Sequence, residues 1–82
     1  MRTIAELPNP NCKITIFSMN QKFIIKFERG VLEQTYKIAE ADVTDGVNGV
    51  FQLLDDAFIE QVVTRFQSML ESFKETYDRH EF

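Results

Sequence analysis

Several places in this chain hold residue types that do chemistry in other proteins. Asp42-Val43-Thr44-Asp45-Gly46 has the composition of a calcium loop. Such a loop needs oxygen ligands at its first, third and fifth positions and glycine at the sixth. Counted from Asp42, the fifth position is Gly46; counted from Ala41, the first has no side-chain oxygen. A solvated acidic loop is the expectation. Gly46-Val47-Asn48-Gly49 has the form of a GxxG loop, which clamps a nucleic-acid backbone when basic residues flank it. Here the flanking charges are Asp42 and Asp45, so the segment reads as a turn and helix start. Cys12, as thiolate, would be a nucleophile, but it opens an apolar strand, where free cysteine serves as a small hydrophobe. Asp55-Asp56 has the makings of an acid/base pair, yet helix capping explains the two carboxylates more simply. His80, the only histidine, has no catalytic partner in the sequence and reads as a solvated residue at a helix end, where positive charge is favoured. No catalytic residue, cofactor site or metal site is assigned, and no enzyme is expected.

The lysines carry more weight. Lys13, Lys22, Lys26 and Lys37 fall with Phe17 on one face of a strand-rich half. Single-stranded nucleic acids are held on sheets by such cations together with stacking aromatics. Only one aromatic accompanies these lysines, and Glu28 and Glu33 are expected to pair with Lys13 and Lys26 across strands.

The elements that position these residues follow from charge and periodicity. Residues 1–37 hold six basic against three acidic side chains, a net of +3; residues 38–82 hold three against ten, a net of −7. The break falls where strand-like alternation gives way to helical spacing. A basic sheet joined to an acidic helical half follows, able to attract charged partners or copies of itself. Eighty-two residues imply one domain with a thin core. The acidic balance argues against general nucleic-acid affinity. One cysteine allows no internal disulfide, which suits the reducing cytoplasm. No apolar run has the length of a signal peptide core or a membrane span, so no membrane partner is expected.

Residues 1–11 read as an extended lead-in, because Pro8 and Pro10 disfavour helix. Residues 12–38 predict a three-stranded antiparallel meander. Its first turn is Asn20-Gln21, since Asn tolerates positive φ. That turn pairs Met19 with Lys22, Phe17 with Ile24, Thr15 with Lys26 and Lys13 with Glu28. The second is placed at Arg29-Gly30, which pairs Glu28 with Val31, Lys26 with Glu33 and Ile24 with Thr35. One face then carries Cys12, Ile14, Ile16, Phe23, Ile25, Phe27, Leu32, Tyr36 and Ile38, with only Gln34 out of place. A slip of one residue would destroy that sorting.

Residues 39–54 read as an acidic loop followed by a short helix from about Asp45 to Leu54, on the spacing of Val47, Val50, Phe51 and Leu54. A fourth strand over residues 50–53 is the alternative. Residues 55–80 predict a long helix with Asp55 or Asp56 as its cap. Phe58, Ile59, Val62, Phe66, Met69, Leu70, Phe73 and Tyr77 form its apolar stripe. From Asp56 to Arg79 such a helix is about 36 Å long, whereas an eight-residue strand spans about 27 Å. Phe73 and Tyr77 are therefore expected to lie beyond the sheet. On the sheet's outer face, Phe17, Met19 and Ile24 form an apolar cluster among lysines, which marks a contact surface unless lysine stems cover it.

The start Thr3-Ile4-Ala5-Glu6-Leu7-Pro8, with Pro10-Asn11-Cys12-Lys13-Ile14-Thr15-Ile16-Phe17 and then Leu32-Glu33-Gln34-Thr35-Tyr36-Lys37, resembles a group of short uncharacterised bacterial single-domain proteins. The resemblance implies no activity, ligand or site residue. The residues themselves favour an α+β domain serving as a non-catalytic interaction module, self-associating or a small subunit of a larger assembly. Phe17, Met19, Ile24, Phe73 and Tyr77 are its expected contact residues. The alternative is an accessory protein that binds RNA or single-stranded DNA through Lys13, Lys22, Lys26, Lys37 and Phe17.

Overall fold

The computed structural model describes residues 1–80 and 82. In chain order the elements are β1 (Arg2–Leu7), β2 (Lys13–Met19), β3 (Lys22–Arg29), β4 (Leu32–Ala39), a 3-10 turn at Glu40–Asp42, α1 (Val47–Leu53) and α2 (Asp56–Arg79). The strands make one antiparallel sheet in the order β1-β2-β3-β4. The α+β class, the antiparallel sheet and the long C-terminal helix match the sequence reading. The sheet has four strands rather than three.

The extra strand is the lead-in. Arg2–Leu7 pairs with β2, and Pro8 ends the pairing. Its apolar residues do not alternate, because the register jumps between Thr3 and Ala5. Ile4 is the additional residue of a bulge, and both Ile4 and Ala5 pack on the core.

The β2–β3 hairpin has the expected register, from Met19 opposite Lys22 to Lys13 opposite Glu28. Asn20 and Gln21 both take positive φ (51° and 62°), as a type I′ turn requires. The β3–β4 hairpin differs. Arg29 pairs with Leu32, Lys26 with Thr35 and Ile24 with Lys37, so the turn residues are Gly30 and Val31. Gly30 has φ of 60° and Val31 is not left-handed. That is a type II′ turn, which wants glycine first rather than second. The correction moves β4 by two residues against β3. An even shift keeps every side chain on its face, which is why the sorting of faces survived the misplaced turn.

The core lies between the sheet and the two helices. Ile14, Ile16, Phe23, Ile25 and Phe27 supply the sheet side; Val50 of α1 and Val62 and Phe66 of α2 supply the helix side. Residues 50–53 are helical, not a fourth strand. Gly49 is buried in α1, and a side chain there would run into the Thr44 carbonyl and Val43. Asp55 caps α2, its Oδ1 accepting the Phe58 N–H at 2.8 Å.

Candidate interaction surfaces

Gln34, the polar residue on the apolar face of β4, is the best-built polar feature of the molecule. It is buried. Its Nε2 donates to the Val62 carbonyl of α2 at 2.9 Å. Its Oε1 accepts from the Tyr36 hydroxyl at 2.9 Å, and that hydroxyl accepts from Arg65 at 3.0 Å. Phe58 meets both Tyr36 and Phe27 edge-on, with centroids 5.3 and 5.6 Å apart. Together these contacts fix where α2 sits along β4 and in which direction it runs. Phe58 lies by Tyr36, Val62 by Gln34, and Phe66 with Leu32 beside the β3–β4 turn. The helix therefore runs opposite to β4. In the sequence, Gln34 showed only as an exception to a pattern; its acceptor Val62 lies 28 residues away and leaves no local signal.

Past Met69 the helix leaves its sheet. Met69 is the last α2 residue packed on the core, and α2 continues to Arg79. At 1.5 Å per residue the free segment is about 15 Å long. Leu70, Phe73 and Tyr77 lie along it at 51%, 54% and 52% exposure. The molecule measures 48 × 26 × 20 Å with a radius of gyration of 14.8 Å. A compact chain of this length would have about 12 Å, and the projecting helix accounts for the excess.

The outer sheet face is less open than expected. Phe17 does face Ile24 across β2 and β3, but Ile24 is buried and Phe17 half-buried. Ile24 is flanked by Phe17 and Lys37 on neighbouring strands and by Lys22 and Lys26 on its own. The helices pack on the opposite face, so these stems provide the cover. Only Met19 of the expected cluster is exposed, at 37%.

The lysines divide into pairs. Lys26 Nζ lies 3.6 Å from Glu33 and 4.0 Å from Glu28. The true register places those two carboxylates directly opposite each other, and Lys26 bridges them. Lys13 meets Glu6 of β1 at 4.0 Å rather than Glu28. Lys22 and Lys37 make no ion pair among the described residues.

The residues first considered for chemistry are not gathered. Cys12 is buried before β2, where desolvation pushes its thiol up from 9.0 and Arg29 partly offsets this. A raised thiol is a poorer source of thiolate. Asp55 and Asp56 begin α2, and His80 stands past its far end with its ring stacked near Phe82. Asp42 lies in the 3-10 turn and Asp45 takes φ of 70°. No metal-holding cluster occurs among the described residues, and none of their helices is long and apolar enough to cross a membrane. No protein-family model, curated protein or solved structure matches the chain.

Proposed function

We propose that this chain is a non-catalytic interaction module of the cytoplasm that associates with copies of itself. The observation that carries the reading is the projecting end of α2. Leu70, Phe73 and Tyr77 share one stripe with the buried Val62 and Phe66, yet each is about half exposed, Leu70 at the rim of the β3–β4 turn. A free helical end has no packing to support it, and most helical stability in proteins comes from packing. A half-exposed aromatic offers roughly 100 Å² of surface to a partner. Phe73 and Tyr77, with Leu70, on each of two chains supply the apolar centre of a small interface of the reversible class.

Sedimentation equilibrium of the full chain tests this. A mass that rises above 9.6 kDa across the micromolar range is expected; a constant monomer mass contradicts the reading. Nucleic-acid binding is the weaker reading, because Lys13 and Lys26 are already engaged by carboxylates. With Lys22 and Lys37 alone, the salt slope on a single strand would be only about −1.4.

A further inference from the structure

We infer that two copies of this chain join through β4, edge to edge and antiparallel, about a twofold axis at Thr35, extending the sheet to eight strands. The inference rests on the self-association proposed above and assigns its surface.

The two sheet edges differ. β1 is short, bulged between Thr3 and Ala5, and followed at once by Pro8. Bulges and prolines are how edge strands are kept from pairing. β4 has eight residues in unbroken register with β3, and neither proline nor glycine among them. The phase of its free groups follows from the Glu40 N–H, which donates to the Gln21 carbonyl at 3.0 Å. Antiparallel bonding alternates, so Leu32, Gln34, Tyr36 and Ile38 spend their amides and carbonyls on β3. Those of Glu33, Thr35 and Lys37 point outward, and all three residues are exposed.

The side chains select a register. Placing Thr35 opposite Thr35 of the second copy puts Glu33 opposite Lys37, twice, with unlike charges matched. On the helix-bearing face the same register sets Leu32 against Ile38 and Gln34 against Tyr36. Three outward residues per copy exchange about six backbone hydrogen bonds. A slip of one residue would aim free amides at groups already used by β3. A slip of two would lose both charge pairs.

The axis also gives the projecting helix a place. Because α2 runs opposite to β4, the second copy's α2 passes the Ile38 end of the first. There Leu53 of α1, 45% exposed, lines a cleft with Ile38 and Phe58. The second copy's Leu70 and Phe73 lie toward that cleft. Arg65, on the β4 side of α2 through its bond to Tyr36, faces the acidic start of the other α2 at Asp55 and Asp56.

Disulfide trapping tests the axis. Thr35→Cys places two sulfurs across it with Cα atoms about 5.5 Å apart, within bridging range. Lys37→Cys places them about 14 Å apart along the strands, out of range. Under mild oxidation Thr35→Cys is expected to shift to a band of twice the monomer mass on non-reducing gels, while Lys37→Cys and wild type stay monomeric there. Thr35→Pro removes an outward N–H and the exposed Thr35 Oγ1–Glu33 hydrogen bond but no bond to β3, so it is expected to keep native circular dichroism and lose association. If wild type self-associates but Thr35→Cys links no better than Lys37→Cys, the β4 axis is wrong and the self-association reading stands. If wild type shows a monomer mass at every concentration, both fall.

Discussion

Tyr36→Phe tests the polar anchor between β4 and α2. It deletes the hydroxyl that donates to Gln34 Oε1 and leaves that oxygen buried without a donor. An orphaned buried acceptor costs about 1–3 kcal/mol, whereas removing both partners with apolar groups of similar shape is nearly neutral. Gln34→Leu alone removes one side of the pair and leaves the hydroxyl of the half-buried Tyr36 to Arg65 and water; the double variant removes both. Gln34→Leu gives up two hydrogen bonds, worth together about 1–3 kcal/mol, and buries an apolar side chain worth about 1.5–3 kcal/mol. The net change is expected within about 2 kcal/mol of wild type on these terms. In the Gln34→Leu background Tyr36→Phe has no oxygen left to orphan, so its cost falls toward zero. Urea unfolding of wild type, both single variants and the double variant, followed by circular dichroism at constant slope, measures the coupling. A coupling of about 1–2 kcal/mol is expected. Equal cost for Tyr36→Phe in both backgrounds would refute the network.

Phe73→Lys is expected to leave stability within about 0.5 kcal/mol, as exposed sites do, while weakening association roughly thirtyfold or more, the scale of a 2 kcal/mol hot spot; sedimentation and urea titration read the two effects separately. Phe66→Ala empties a fully packed site in α2 and is expected to cost about 3–5 kcal/mol of unfolding free energy. Phe17→Lys, on the half-buried outer face, is expected to lower stability without changing association; the reverse result would restore that face as the contact surface. The thiol of Cys12 is raised in the folded chain, so the folded state holds its proton longer than the unfolded state does. The stabilisation is complete below the thiol's ordinary value of 9.0 and lost as pH rises through the folded value. Wild type is therefore expected to lose more stability above pH 9.0 than Cys12→Ala does, as read by urea titration.

What the sequence disclosed follows from which forces are local. The β2–β3 register was legible because Asn20-Gln21 and the alternation on both sides agree. α2 and its overhang were legible because the stripe from Phe58 to Tyr77 is longer than any strand it could cover. β1 was missed because the bulge at Ile4 breaks its alternation and Pro8 and Pro10 read as an irregular segment. The β3–β4 turn was misplaced by one because Gly30 suits either central position until the turn type is known. Ile24 looked exposed because lysine and phenylalanine stems cover it from three strands, which no single-strand pattern records. Gln34 stood out as polar on an apolar face without a visible reason, since Val62, which accepts from it, and Arg65, which holds its partner Tyr36, belong to another element.

The most direct test of the central claim is the mass of the wild-type chain in solution against concentration. Sedimentation equilibrium is expected to show a reversible rise from 9.6 kDa toward twice that value through the micromolar range. A single 9.6 kDa species up to the solubility limit, with Leu70, Phe73 and Tyr77 left in water, would contradict it.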